Sequence, residues 1–174
     1  MVETEVKIRI GDLKTMRNKL LALGAGVSRE RHAEDNVLYD FPSGLLHAAH
    51  SALRLRTAGK RAVLTFKGRP EKSRSFKVRP EFETSVGNRG ELKKILRGLG
   101  LQARFAYKKH RTVLRKGRVI VTLDETEVGD FMEIEGKRHE ITRLARSLGF
   151  SRADFITAGY VELLQSAKAK EKGA

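Results

Sequence analysis

The chain contains no cysteine and no tryptophan, and only 6% of its residues are aromatic. Without cysteine, disulfides and thiolate metal sites are excluded, and nothing points to an oxidising compartment. So few aromatics leave no stacking platform for single-stranded nucleic acid, and no zinc-finger spacing is present. No apolar run approaches the length of a membrane span. Met1 leads straight into a strand pattern rather than a signal peptide, so the chain reads as cytoplasmic with no membrane partner. There is no Gly-x-x-x-x-Gly-Lys phosphate loop and no suggestion of a Ser/His/Asp set. If this protein handles phosphate, side chains rather than a loop of backbone amides must hold it.

What is abundant is charge. Of 174 residues, 36 are Lys or Arg and 21 are Asp or Glu, a formal net charge of +15. That excess implies an anionic partner. Charge alone leaves a phosphate ligand, RNA and simple solubility open, with nucleic acid the weaker choice for want of aromatics. The size suits one globular domain over residues 1–166, followed by a basic, disordered tail at 167–174 that carries Lys168, Lys170 and Lys172.

The charges alternate. In Val2-Glu3-Thr4-Glu5-Val6-Lys7-Ile8-Arg9-Ile10, strand geometry puts Glu3, Glu5, Lys7 and Arg9 on one face and Val2, Val6, Ile8 and Ile10 on the other. The pattern returns at Glu81/Glu83 and Glu133/Glu135, with Arg54/Arg56, Lys67/Arg69 and Lys109/Arg111 between. A solvated strand face with cross-strand ion pairs would explain any one pair. Recurrence of both signs at period two suits a barrel with a polar interior and helices outside.

Local signals order the rest of the chain. Asp12 caps a helix with Leu13, Met16, Leu20 and Leu23 on one face and Gly24 as its stop. Asn36 to Phe41 reads as a strand, and Leu45 to His50 as a loop or short strand. Ala52–Thr57 and Arg61–Arg69 form a hairpin, Lys72 to Arg74 a polar loop, and Phe76–Ser85 a strand. Pro80 predicts an edge position or a bulge there. Asn88 with Glu91 opens a second helix whose apolar face is Leu92, Ile95, Leu96 and Leu99. Strands follow over 104–115, 118–124 and 131–136, then a helix over 139–148 and a short one over 160–167.

Paired carboxylates on such strands can hold hard divalent cations, because Mg²⁺ and Mn²⁺ favour oxygen ligands. Asp124, ending Val119-Ile120-Val121-Thr122-Leu123, can join them. Arg and Lys on the same surface would bind phosphate oxygens. The five histidines show no ligand spacing beyond His47/His50 and read as structural or surface residues. Tyr160 reads as a packed aromatic.

The N-terminal Glu3-x-Glu5-x-Lys7 resembles the signature of the CYTH superfamily, the triphosphate tunnel metalloenzymes. Glu34-Asp35-Asn36-Val37-Leu38-Tyr39-Asp40, Leu53-Arg54-Leu55-Arg56 and Leu64-Thr65-Phe66-Lys67 follow in the family's order. So do Arg79-x-Glu81-x-Glu83, Lys109-x-Arg111, Leu123-Asp124 and Phe131-Met132-Glu133-Ile134-Glu135. The closing Gly159-Tyr160-Val161-Glu162-Leu163-Leu164 has Gly where Ser is more usual.

The resemblance implies an α+β fold, an eight-stranded antiparallel β-barrel forming a polar tunnel with helices outside. It implies catalysis by Glu3, Glu5, Lys7, Glu133 and Glu135. Metal binding, by Mg²⁺ or Mn²⁺, falls to Glu3, Glu5, Glu81, Glu83, Asp124, Glu133 and Glu135. Triphosphate binding falls to Lys7, Arg54, Arg56, Lys67, Arg79, Lys109 and Arg111. The expected substrate is a small triphosphate: ATP, inorganic triphosphate or thiamine triphosphate. The layout looks most like class IV adenylate cyclases, which convert ATP to cyclic AMP and pyrophosphate. A triphosphatase is the alternative, and a non-catalytic binder of polyphosphate or RNA the alternative of another class. A homodimer is expected by family analogy alone.

Overall fold

Residues 2–73 and 75–172 are described by the computed structural model. The order of elements is β1 (Val2–Ile10), α1 (Leu13–Ala22), β2 (Gly26–Asp40), α2 (Leu45–Ala48), β3 (Ala52–Ala58), β4 (Arg61–Lys67) and β5 (Lys77–Ser85). Then come α3 (Arg89–Gly98), β6 (Gln102–Lys116), β7 (Val119–Thr126), β8 (Gly129–Glu135), α4 (Arg138–Ser147) and α5 (Tyr160–Lys172). The strands close into an antiparallel barrel in the order β1-β5-β4-β3-β2-β6-β7-β8. The chain divides into two compact units. The first comprises residues 1–3, 33–72 and 78–108; the second comprises 4–32, 73–77 and 109–174.

In the first unit β3 pairs with β2 and β4, and β4 with β5, all antiparallel. The β3–β4 hairpin turns at Gly59, whose φ of +61° is the left-handed conformation that such a tight turn needs. Alternation then sorts the side chains. Tyr39, Leu55 and Ala62 point into an apolar core with Leu96 of α3 and Leu101. Leu46 of α2 and Leu92 of α3 pack against it. Residues of the opposite parity, among them Asn36, Arg56, Thr65, Lys67 and Glu81, take the charged face.

In the second unit β8 lies between β1 and β7, and β7 pairs on with β6. Val6, Ile8, Val121, Leu114, Met132 and Ile134 are almost fully buried on one face. Amphipathic helices supply the cover: Met16 and Leu20 of α1 and Ile141, Leu144 and Ala145 of α4 are buried. Asp12 caps α1 as expected, accepting a hydrogen bond from the Thr15 N–H at 2.6 Å.

Several local expectations change. β2 begins at Gly26, ten residues before the expected strand, because a run rich in charge still pairs when its neighbours supply the ladder. Leu45–Ala48 is a helical turn rather than a loop or strand. The Asp40 carboxylate causes it, accepting hydrogen bonds from the Leu46 and His47 N–H groups at 2.9 Å each. β5 is not an edge strand, since it lies between β1 and β4. Pro80 is tolerated because it stands just past the last residue of β4; Gly68 N–H donates to its carbonyl at 2.9 Å and only the return bond is lost. On α3, Ile95 and Leu99 are 58% and 63% exposed, so Leu96 alone is buried there. The helix expected to end at residue 167 continues to Lys172. Arg74 of the expected polar loop and residues 173–174 of the tail lie outside the described residues.

Candidate active site

In the first unit, antiparallel register sets Lys67 opposite Glu81 and Thr65 opposite Glu83. Lys67 is only 8% exposed. Its ammonium lies 2.8 and 2.7 Å from the two oxygens of Glu3 and 2.6 Å from Glu81 Oε2. Arg79 approaches the same Glu3, with Nε 3.4 Å from Oε2. Next along the face, Arg56 Nη2 and Thr65 Oγ1 donate to Glu83 Oε2 at 3.2 and 3.0 Å. Arg56 Nη1 lies 3.9 Å from Glu34. Arg54, half-buried, adds positive charge that acts on Glu81.

Burial holds the Glu3 carboxyl above its ordinary value, reinforced by its hydrogen bond to Glu81, with Lys67 opposing. Glu81 lies below its ordinary value: burial pushes it up, but the hydrogen bond from Glu3 and the Lys67 charge outweigh that. The two carboxyls are thus pushed in opposite directions, Glu3 up and Glu81 down.

In the second unit Asp124 is the centre, with no exposure at all. Arg111 grips it with Nε on Oδ1 at 2.6 Å and Nη2 on Oδ2 at 2.5 Å. Lys109 Nζ and Tyr160 Oη donate to Oδ2 at 3.0 and 2.6 Å. Three of these four donors converge on Oδ2 and one on Oδ1. Burial disfavours the Asp124 charge, but Arg111 and then Lys109 outweigh it and hold the carboxyl below its ordinary value. Tyr160 is pushed well above its ordinary value, by burial first and then by Glu133 and Asp124.

Glu133 extends the cluster. It accepts from Arg111 Nη2 at 2.5 Å and from Thr122 Oγ1 at 3.3 Å, and Lys7 Nζ lies 3.3 Å away. The β1–β8 register faces Lys7 with Glu133 and Glu5 with Glu135. Lys7 also donates to the Ala158 carbonyl at 3.0 Å. The Tyr160 ring has Lys7 Nζ 4.1 Å and Lys109 Nζ 4.5 Å from its centroid, a pair of cation–π contacts.

These carboxylates can be tested for fit to a divalent cation. Glu3 and Glu81 already converge on a cation, the Lys67 ammonium. Glu5 and Glu135 are like charges directly opposite each other, an arrangement that favours a cation beside them. Every donor is an oxygen, which suits Mg²⁺ or Mn²⁺. Among the described residues no three carboxylates or imidazoles form a cage by themselves. The donor sets thus fit an ion held by one or two carboxylates and completed by water and substrate oxygens.

Two side chains have more partners or a deeper placement than their residue patterns indicate. Tyr160 is an Asp124 ligand and a cation–π partner rather than a packed aromatic; its place in the closing motif was the signal. Asn36 is 1% exposed, and neither of its amide atoms finds a hydrogen-bond partner among the described residues. Its register opposite Arg56 was not visible without the β2–β3 pairing.

The CYTH domain family model matches residues 1–160. A provisionally named adenylate cyclase of Methanocaldococcus jannaschii is 24% identical over 174 residues, covering 94% of this chain and 98% of that protein. A Vibrio parahaemolyticus structure, also provisionally named an adenylate cyclase, superposes with a TM-score of 0.85 at 23% identity, covering 95% of this chain and 98% of the other. A provisionally named adenylyl cyclase from Hippeastrum, whose structure is described as revealing a dominant triphosphatase activity, has a TM-score of 0.72 at 21% identity. That match covers 95% of this chain and 96% of the Hippeastrum chain. Among the described residues no helix is long and apolar enough to cross a membrane.

Proposed function

We propose that this chain, which belongs to the CYTH domain family, is a divalent-metal-dependent enzyme that cleaves a small-molecule triphosphate. The observation that carries this reading is the Glu3–Lys67–Glu81 group, where two half-buried carboxylates converge on one buried ammonium. Glu3 and Glu81 hold Lys67 and Arg79, so the group brings two acids and two bases together, donors for a cation and for phosphate oxygens alike.

Lys67, Arg54, Arg56 and Arg79 of the first unit are assigned to phosphate oxygens, as are Lys7, Lys109 and Arg111 of the second. Their charges stabilise the negative charge that spreads over phosphoryl oxygens as a phosphoanhydride bond breaks. Glu3 and Glu81 in the first unit, and Glu5 and Glu135 in the second, are each assigned to a divalent cation, Mg²⁺ or Mn²⁺, which would supply Lewis-acid polarisation of a phosphoryl oxygen. Glu133 orients Lys7 and Arg111 through the contacts described. Asp124 and Tyr160 position Lys109 and Arg111 from behind.

Hydrolysis is the reaction this chemistry supports most directly. The side chains on both charged faces offer cations and carboxylates for phosphates and an ion. The triphosphatase activity described for the Hippeastrum relative agrees with it. Cyclisation of ATP is the second reading, favoured by the idle carboxamide of Asn36, which has a donor and an acceptor to offer a nucleobase edge.

The test is an end-product assay. Purified protein is incubated with ATP, inorganic triphosphate and thiamine triphosphate, each with Mg²⁺ or Mn²⁺, with Glu5→Gln as control. Orthophosphate without cyclic AMP is expected. Cyclic AMP with matching pyrophosphate would establish the second reading, and no product under any condition would refute an enzyme.

A further inference from the structure

One buried polar side chain of the first unit makes no hydrogen bond among the described residues. Asn36 of β2 is 1% exposed, and neither its Oδ1 nor its Nδ2 has a partner. Burying an amide in that way is unfavourable, and a group from outside the chain would relieve it.

Strand register shows where the carboxamide faces. Asn36 stands opposite Arg56 of β3. Arg56 belongs to the charged face through its contacts with Glu83 and Glu34. Val37 and Tyr39, of the other parity, turn to the apolar core behind. Asn36 is therefore on the face already assigned to phosphate, beside a cation but not bonded to it.

On its other side β2 adjoins β6. Lys108 Nζ lies 3.5 Å from Asp35 Oδ1, and both side chains are exposed, so these residues stand side by side on the outer face. Alternation turns their chain neighbours, Asn36 and Tyr107, to the opposite face together. Tyr107 is half-buried, and its ring centroid is 6.3 Å from that of Phe105, which shares its parity. Across the charged face the order is thus Lys67 on β4, Arg54 and Arg56 on β3, Asn36 on β2, and two aromatics on β6. From β4 to β6 is three strand spacings, roughly 14 Å along the sheet. Groups that bind phosphate give way over that span to groups that suit a flat ring.

A nitrogen heterocycle takes such a pair, a π surface to stack on and a donor with an acceptor to read its edge. An exocyclic amine beside a ring nitrogen meets a carboxamide in two hydrogen bonds: the amine donates to Oδ1 and Nδ2 donates to the ring nitrogen. Adenine carries that edge, and so does the aminopyrimidine of thiamine. Inorganic triphosphate carries none and leaves Asn36 unpaired, and a site built to bond a group discriminates against the ligand that lacks it.

We propose that Asn36, with Tyr107 beside it, is a specificity-determining residue that reads an amino-substituted nitrogen heterocycle on the substrate, so that the chain prefers an organic to an inorganic triphosphate. The inference rests on the triphosphate reading above and holds for hydrolysis and cyclisation alike. One stacked ring suffices for a mononucleotide, whereas a strand of nucleic acid is held by a row of them.

The experiment is calorimetric titration of the full chain with Mg²⁺, which reads affinity whether or not turnover occurs. The ligands are adenosine 5′-(β,γ-imido)triphosphate, its purine riboside counterpart without the 6-amino group, thiamine triphosphate and inorganic triphosphate. Wild type is expected to bind one amino-bearing ligand at least about tenfold more tightly than inorganic triphosphate, the scale of a bidentate contact to a base edge. Preference for the adenosine ligand, lost in the purine riboside, assigns adenine; preference for thiamine triphosphate assigns the aminopyrimidine. In Asn36→Leu the preference is expected to collapse and the denaturation midpoint to hold or rise, because no hydrogen bond within the fold is lost. Asn36→Ala, which adds no bulk, is read beside it. Tyr107→Leu is expected to weaken the amino-bearing ligand several-fold. A preference retained in both Asn36 variants would overturn the proposal. Equal affinity of wild type for organic and inorganic triphosphate would overturn it and leave the triphosphate reading standing, whereas no affinity for any triphosphate would overturn both.

Discussion

The two units solve opposite problems with the same residue types. In the second, Asp124 is enclosed by Arg111, Lys109 and Tyr160, so each charge there has found its partner. In the first, Glu3 and Glu81 share Lys67, with Arg79 also on Glu3, and burial still raises the Glu3 carboxyl above its ordinary value. Their pH responses consequently have opposite signs. Asp124, with its carboxyl depressed, contributes stability that is present above the ordinary value of 3.8 and lost as pH falls through its lower folded value. Glu3, with its carboxyl raised, costs stability as pH rises above the ordinary 4.5 and the folded state is made to give up the proton. A satisfied buried charge anchors a fold; a competing one is ready to exchange partners.

The contrast can be broken most forcefully at Asp124. Replacing it with Ala strands Lys109 and Arg111 without their counter-charge, and chemical denaturation should register a loss of about 3–5 kcal/mol. Asp124→Asn should also flatten the acid limb of stability below pH 3.8. At Lys67 the order of effects reverses. Lys67→Met should lower turnover about 100-fold, the cost of one preorganised cationic donor. Its unfolding free energy should move much less, because Glu3 can absorb the change by protonation.

Smaller changes sharpen the comparison. Tyr160→Phe removes one donor from Asp124 while the guanidinium fork remains, and should cost about 1.5 kcal/mol in denaturation. Glu81→Gln removes a negative neighbour whose charge helps to hold the Glu3 proton. The acidic limb of the pH–rate profile should then move to lower pH; movement to higher pH would refute the pairing of these two carboxylates.

Much of this was legible in the residues. Period-two charge in Glu3/Glu5/Lys7, Lys67 and Glu133/Glu135 foretold which face each would take, because strand alternation is local. The face of α1 could be read for the same reason, since Met16 and Leu20 recur at helical spacing. What could not be read depends on neighbours distant in sequence. The polar start of β2 has no apolar period to reveal it and is fixed only by pairing. Asp40 makes a helix of Leu45–Ala48 by reaching forward to its N–H groups. Ile95 and Leu99 looked like core because periodicity cannot say how much of a helix its sheet will cover. The partition of the acids into a satisfied Asp124 and a contested Glu3 likewise rests on strand register, which sequence spacing does not give.

The most direct test is a Mn²⁺ titration followed by electron paramagnetic resonance, in the presence of inorganic triphosphate, with Glu3→Gln and Asp124→Asn beside wild type. Glu3→Gln is expected to lose at least about tenfold in Mn²⁺ affinity, on the scale of removing one carboxylate ligand or its support, and to keep its denaturation midpoint. Asp124→Asn is expected to do the reverse, retaining Mn²⁺ and losing stability. Wild-type Mn²⁺ affinity in Glu3→Gln would contradict the account, because the contested carboxylate would then have no cation to exchange.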